Sequence, residues 1–472
     1  MPSNDFLEQI MKRIIVLLLS TAIALPSFAG GLVTNTNQSA SFLRNMARGT
    51  SLSPDAIYYN PAGTAFMERG WHLSINDQQA IQRRWTNSTF APFALGANNG
   101  GKETKHFQGN TFSPIVPSVY ATYKMDRLAL SFAVSIGSGG GSVEYNDGLA
   151  SFESAIAQIP AILPELDPMV HYVPYKADIY LKGTSITVTT RIGAAYRISD
   201  NFSAAAQLRI AYTSNKYEGH IKDIVLAENQ TPFKDLIEDK ELDTRQTGWG
   251  FSPIFSIYFK SNGAKDGELF NPDSDKKQNF GNGWSASIKY EFNTSVQIKN
   301  KTKKDVVLNG TSLYPDGEKS EADLPSILSA CVSKHLGPVK LSAQFLHYFD
   351  EVADNFFTDG LNGNTDEFIF GVDWKLSRRI LLSTAFQRSL FELDPQKYRD
   401  LNFNAPSTSF GLGIGIGLSR HIALNIGGLV TKYSSVTRES DPYNSSTAPG
   451  IPGKDVYHRQ SVCYGIGLDF NF

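Results

Sequence analysis

The sequence is short of several things that would place it quickly. It has two cysteines in 472 residues, too few for the disulfide framework of a small secreted scaffold. Neither sign of charge dominates: 44 Lys and Arg against 46 Asp and Glu leave a formal net charge of −2, which argues against a nucleic-acid partner. The eight histidines are scattered, and none stands at metal-ligand spacing with another His or Cys. No G-x-S-x-G elbow is present. Catalytic residues, a metal site and a cofactor are therefore not expected, and the chain reads as a non-enzyme. Beyond residue 30 no apolar run is long enough for a membrane helix, and the mean hydropathy is slightly polar at −0.23.

What the chain does have is alternation. Leu128, Leu130, Phe132, Val134 and Ile136 alternate with Ala129, Ser131, Ala133 and Ser135. The last eleven residues, V-C-Y-G-I-G-L-D-F-N-F, repeat the pattern up to Phe472. Period two means a strand with one apolar and one wet face. On a soluble sandwich the wet face would carry Lys and Glu rather than the Gly, Ser and Ala found here. Alternation with a small-residue face is the mark of an all-β transmembrane antiparallel barrel, whose membrane signal is diluted by its lumen residues. The segments amount to about 14 strands, an even number with both ends on the periplasmic side, the first near Arg69 to Trp85 and the last ending at Phe472. Phe472 is also expected to engage the barrel-assembly machinery. Short turns such as Ser199-Asp200-Asn201 alternate with long polar loops, as periplasmic turns alternate with extracellular loops; the long stretch 261–283 breaks that rule. Cys331 and Cys463 fall on strands 8 and 14, facing the lumen from nearly opposite sides. Two free thiols are expected, since a bridge requires Cα atoms within about 7 Å.

The N-terminal part reads differently. From Met11, a basic start, an apolar stretch from Ile14 to Leu25 and small residues before Gly30 form a secretory signal peptide. Residues 1–29 are assigned to it, with Met11 as the expected translated start. Residues 30–68 do not alternate. Phe42, Leu43 and Met46 stand at helical spacing, Ser53-Pro54-Asp55 looks like a helix cap, and Asn60 is placed to cap a turn starting at Pro61. Such a compact segment before a barrel (69–472) is expected to fill the lumen as a plug, packed against the bare face left by Gly411, Gly413, Gly415 and Gly417.

Residues Ser53 to Met67, S-P-D-A-I-Y-Y-N-P-A-G-T-A-F-M, resemble the hatch signature of the FadL/TodX family of outer-membrane transporters for long-chain fatty acids and other hydrophobic compounds. With the signal, the barrel and the terminal Phe, the resemblance covers essentially the whole mature chain. It implies transport in the bacterial outer membrane, among lipid and lipopolysaccharide. The ligand, a long-chain fatty acid or other hydrophobic small molecule, would be caught by extracellular loops, passed to an apolar lumen pocket and released sideways at a kink in strand 3. Asn60, Pro61 and Ala62 are the matching hatch residues. The kink maps onto Ile136, Gly137, Ser138 and Gly139, where alternation stops and glycine permits a bend; a flexible loop root is the plainer reading. Phe152, Ile156, Ile159 and Leu163 make an apolar loop that suits capture or packing between loops. Arg191 and Arg209, with Lys289 and Lys340, are lumen cations that could meet a carboxylate or pair with Glu291 and Asp373. A general diffusion porin and a structural or adhesive barrel are the alternatives, and long fatty acids and small aromatics make similar demands on a pocket.

Overall fold

The computed structural model describes residues 34–166, 172–228, 238–265, 279–308, 311–354, 363–391 and 450–472, and all of 394–443 except 395, 397 and 402. The expected signal peptide lies outside the described residues. The rest is a closed antiparallel barrel of 14 strands, counting each interrupted strand once. In chain order these are β1 (Gly70–Phe90), β2 (Thr104–Ser113 with Ser118–Lys124), β3 (Leu128–Tyr145), β4 (Tyr172–Arg197), β5 (Phe202–Ala227), β6 (Lys240–Lys260) and β7 (Asn282–Glu291 with Gln297–Lys304). They continue as β8 (Lys319–Glu321 with Ile327–Leu336), β9 (Val339–Tyr348), β10 (Thr365–Lys375), β11 (Ile380–Phe391), β12 (Ser407–Gly417), β13 (Ile422–Tyr433 with Val436–Ser440) and β14 (Gly453–Asn471).

Each strand pairs with its sequence neighbours, and the ring closes where β1 meets β14 from His72 opposite Asn471 to Phe90 opposite Gly453. Trp71 and Phe472 finish the seam by exchanging backbone hydrogen bonds of 2.9 and 2.8 Å. Closure leaves no unpaired edge, a condition for crossing hydrocarbon with strands.

The two faces differ as the alternation demands. On β6 the outward Trp249, Phe251, Phe255 and Ile257 are 60, 61, 50 and 53% exposed, whereas the inward Ser252, Ile254 and Ser256 are buried. A band of such side chains runs round the barrel, through Ile75, Phe132, Ile192, Phe370, Phe410 and Ile466. At about 25 cal/mol per Å² of apolar surface, water is a poor solvent for this band and lipid a good one, so the barrel is a membrane-spanning one.

The segment before β1 is buried against barrel strands. It comprises α1 (Ala40–Arg44), α2 (Ala56–Tyr59) and a 3-10 turn, Pro61–Phe66. Ser39 caps α1, its hydroxyl accepting from the Phe42 amide at 3.0 Å. Two expected caps are corrected. The helix expected to start behind Ser53, with Pro54 at its first position, starts instead at Ala56 behind Asp55, which makes no side-chain cap bond because its carboxylate accepts from Arg48 at 2.8 Å and from Ser39 at 2.7 Å. Asn60 does precede a turn that starts at Pro61, but its side chain caps nothing.

The glycine stripe behaves as read: a Cβ at Gly411 would lie 2.6 Å from the Leu43 carbonyl, and one at Gly413 2.6 Å from the Arg44 Cβ. Gly427 on β13 extends the bare patch, with the Ala40 carbonyl 2.6 Å from its would-be Cβ. Cys331 and Cys463 are both free and buried.

Candidate functional site

The hatch is seated on two polar anchors. On one side Arg191 of β4, Arg209 of β5 and Lys289 of β7 converge on the single carboxylate of Glu291, at 2.9, 2.7 and 2.5 Å. Arg191 and Lys289 also donate to the Tyr58 carbonyl at 3.1 and 2.9 Å, and the Arg191 guanidinium lies 3.8 Å from the Tyr58 ring centroid. On the other side Asp373 of β10 accepts from Arg44 at 3.3 Å and from Asn45 at 2.9 Å, and pairs with Lys340 at 3.3 Å. The expected lumen cations thus do point inward, and they hold the hatch to the wall.

The hatch motif is fully enclosed. Ala62 receives a hydrogen bond from Ser203 on its carbonyl and gives one to Ser256 from its amide, at 2.7 and 2.9 Å. Pro61 opens the 3-10 turn. Asn60 is wholly buried, and both its amide oxygen and its amide nitrogen lack a hydrogen-bond partner. A buried polar group left unpaired costs about 1–3 kcal/mol, so the hatch is held in an arrangement that does not satisfy this side chain.

The backbone is irregular at the positions read as a kink. The β3–β4 ladder shifts register between Ile136 and Ser138 and again between Gly139 and Gly141. Gly139 and Gly140 have φ of 64° and 106°, a backbone region that residues with a Cβ rarely enter. On its other side β3 pairs with β2 from Ser118 opposite Ser135 downward and from Phe112 opposite Ser142 upward. Between these levels no pairing joins 113–117 to 136–141, and Pro114 and Pro117 remove two of the amide donors that could have made one. Val116 stays tied to β1 through backbone bonds with Gln78 of 2.9 and 3.2 Å, so the break in the wall lies between β2 and β3.

The start of the hatch fills that break. Asn35 donates from its backbone to the Gly137 carbonyl at 2.8 Å and from its side chain to the Gly139 carbonyl at 2.7 Å. Gln38 donates to the Ile136 carbonyl at 2.7 Å. Tyr58 and Tyr59 in turn donate their hydroxyls to the Asn35 and Thr36 carbonyls, each at 2.7 Å. Asn35 and Gln38 were not anticipated. The only hint is the amide-rich run T-N-T-N-Q-S at 34–39, side chains able both to give and to accept hydrogen bonds where a bulge leaves main chain bare.

One gap lies beside the hatch and another on the extracellular side. A lumen space of about 10 Å³, room for no more than a water, lies between the hatch residues Phe42, Tyr58 and Tyr59 and a wall that is part apolar, Ile327 and Leu346, and part charged, Lys289, Glu291 and Glu367. Thr36 stands on its rim, one residue from Asn35. The second, of about 20 Å³, is apolar and lies among the extracellular extensions of β4 to β7, lined by Phe152, Leu181, Leu242, Val306 and Leu313. Phe152 belongs to α3 (Ala150–Leu166), and Ile156 and Ile159 on the same helix are buried among Phe90, Phe93, Phe107 and Tyr175. The Leu163 side chain is outside the described residues. Of the long turn 261–283, residues 261–265 and 279–283 are described, and there Phe280 is fully buried against Leu381 and Ala423 and accepts on its carbonyl from the His335 ring at 2.9 Å.

A hatched membrane barrel with a break in its wall is the class these features define, and solved structures place it more narrowly. The chain is similar to a FadL homologue of Pseudomonas aeruginosa, with a TM-score of 0.59 at 12% identity over 95% of this chain and 99% of the other. It is similar too to the Pseudomonas putida toluene transporter TodX, with a TM-score of 0.52 at 10% identity over 95% and 99%. No protein-family model and no curated protein matches the sequence. The fold is that of the FadL and TodX transporters.

Proposed function

We propose that this protein carries hydrophobic small molecules across the bacterial outer membrane and releases them sideways, between β2 and β3, into the membrane. The reading rests on one observation above the rest: the unpaired stretch at 136–141, filled by Asn35 and Gln38 rather than by a neighbouring strand. A molecule that is mostly hydrocarbon gains nothing from a watery bore, and a sideways exit keeps each methylene out of water, worth about 0.8 kcal/mol apiece. Buried Phe280 at the periplasmic end opposes a straight-through path. The apolar extracellular cavity beside Phe152 marks the entry for the ligand, and the lumen space beside Phe42 and Leu346, water-sized at rest, widens to hold it as the hatch moves.

In this scheme Arg191 and Arg209, already engaged by Glu291, act as hatch anchors, and the ligand meets Phe42, Ile327 and Leu346 beside the polar Gln344 and Glu367. Passage requires the hatch start to withdraw from the kink, and the unsatisfied Asn60 amide makes the resting position costly enough for that to occur. Long-chain fatty acids and monoaromatic hydrocarbons are both suitable cargo. Uptake of a radiolabelled hydrophobic compound by cells dependent on this protein tests the proposal, together with the conductance of purified protein in a planar bilayer. Saturable uptake with little steady conductance is expected. Large steady pores without selective uptake would mean a general porin instead.

A further inference from the structure

The barrel carries an outward basic patch that neither the hatch nor the cavities use. Strands β5, β6, β7 and β8 run beyond the apolar band on the extracellular side, and their register places five cations together. Lys216 lies opposite Arg245, Arg245 opposite Lys301, and Lys299 opposite Lys319. Paired residues share a face of the sheet, and all five are exposed, whereas the alternate Thr244, Gln246, Ile298 and Asn300 are buried inward. The patch therefore faces sideways, away from the lumen.

Charges in this arrangement repel. Like charges directly opposite across a ladder destabilise the sheet, and here three such pairs, Lys216 with Arg245, Arg245 with Lys301 and Lys299 with Lys319, stand on adjacent levels. The nearby acids do little to relieve them. Glu218 pairs with Lys216 at 2.5 Å and Asp243 with Lys303 at 3.4 Å, while Glu321 accepts from Gln297 at 3.0 Å. Asp316 accepts from the Thr302 amide at 2.9 Å, and Glu318 is exposed at the turn. Among the described residues, Lys299, Lys301, Lys319 and Arg245 have no acidic partner.

The height of the patch says what anion neutralises it. Tyr212 and Trp249 are packed with ring centroids 4.6 Å apart on the outward face, an aromatic pair of the kind that marks a membrane interface. Lys299, opposite Thr247, is two residues beyond Trp249, or about 7 Å at 3.3–3.4 Å per residue, and Arg245 and Lys301 are two residues further. Lysine and arginine stems are long enough to reach back to the headgroup level. An anion held there and met from the side is part of the leaflet itself. We infer that Lys299, Lys301, Lys319, Arg245 and Lys216 form a binding site for the phosphate groups of an outer-leaflet glycolipid. The inference rests on the membrane placement above and is independent of the cargo.

Native mass spectrometry of the full-length protein in mild detergent tests it, with bis-phosphorylated lipid A, its dephosphorylated form and inorganic phosphate as probes. Wild type is expected to retain phosphorylated lipid A at least tenfold better than a Lys299→Gln, Lys301→Gln, Lys319→Gln variant, to bind the dephosphorylated lipid no better than that variant does, and to keep its lipid in millimolar phosphate. Equal retention of the two lipids by wild type overturns the proposal, and that comparison needs no variant to fold. So does a folded triple variant that binds like wild type, or displacement of lipid by inorganic phosphate, which would indicate a free-anion site. Uptake of hydrophobic cargo by the triple variant should be unchanged, so a failure of the transport reading would leave this result standing, and the reverse.

Discussion

Replacing Glu291 by Gln tests whether the hatch is held by charge. Glu291 is 1% exposed, and Arg191, Arg209 and Lys289 reach it at 2.9, 2.7 and 2.5 Å. The Gln variant keeps the size of the side chain and removes the anion that three buried cations share. Breaking a buried pair by deleting one partner costs about 3–5 kcal/mol, because the other charge is left without compensation. With an unfolding entropy of about 2.1 cal/mol/K per residue, a loss of about 4 kcal/mol over the barrel and hatch lowers the unfolding temperature by roughly 4 °C. The heat-modifiable shift on electrophoresis, followed against temperature, measures this directly. Adding Arg209→Met to Glu291→Gln should recover part of the loss by removing one stranded cation. A Gln variant that unfolds within a degree of wild type would refute the reasoning, since the cations would then have found other compensation.

Other outcomes follow from the same geometry. Asn60→Leu removes an amide that has no partner, so barrel stability should hold or rise while uptake falls; unchanged uptake would strip the motif of its role. Gly427→Val sets a side chain against the Ala40 carbonyl and the Arg44 amide, 2.6 and 2.8 Å from its Cβ, and should cost about 1–3 kcal/mol by overpacking, seen as faster protease cleavage within the hatch. Cys331 and Cys463, both buried, should react with a maleimide only after denaturation, two per chain; labelling of the folded protein would place a thiol in contact with solvent.

The barrel was legible because period two is written residue by residue into its strands, and lipid and lumen impose opposite demands on alternate positions. The seat of the hatch was legible for a related reason: Gly411 and Gly413 sit on a strand where alternation continues but bulk vanishes, which signals a close neighbour. Ser39, Asp55 and Asn60 show where such reading ends. All three are cap-forming residue types, yet only Ser39 caps, since Asp55 is drawn to Arg48 and Asn60 to nothing. Asn35 and Gln38 were missed because their partners are carbonyls of a bulge about a hundred positions away, a relation no local pattern records. Phe280 was missed likewise, being one aromatic in a polar turn.

The central claim is that cargo leaves through the break between β2 and β3. A Cβ at Gly137 would fall 2.4 Å from the Thr189 Cγ2, the end of a side chain rather than backbone. Gly137→Trp combined with Thr189→Ala therefore places a bulky ring at the break with its one close obstacle removed. Uptake of labelled hydrophobic compound by cells carrying this variant, with folded barrel confirmed by heat-modifiability, is the most direct measurement. Loss of uptake from a folded barrel is the result predicted here; uptake at the wild-type rate would contradict it.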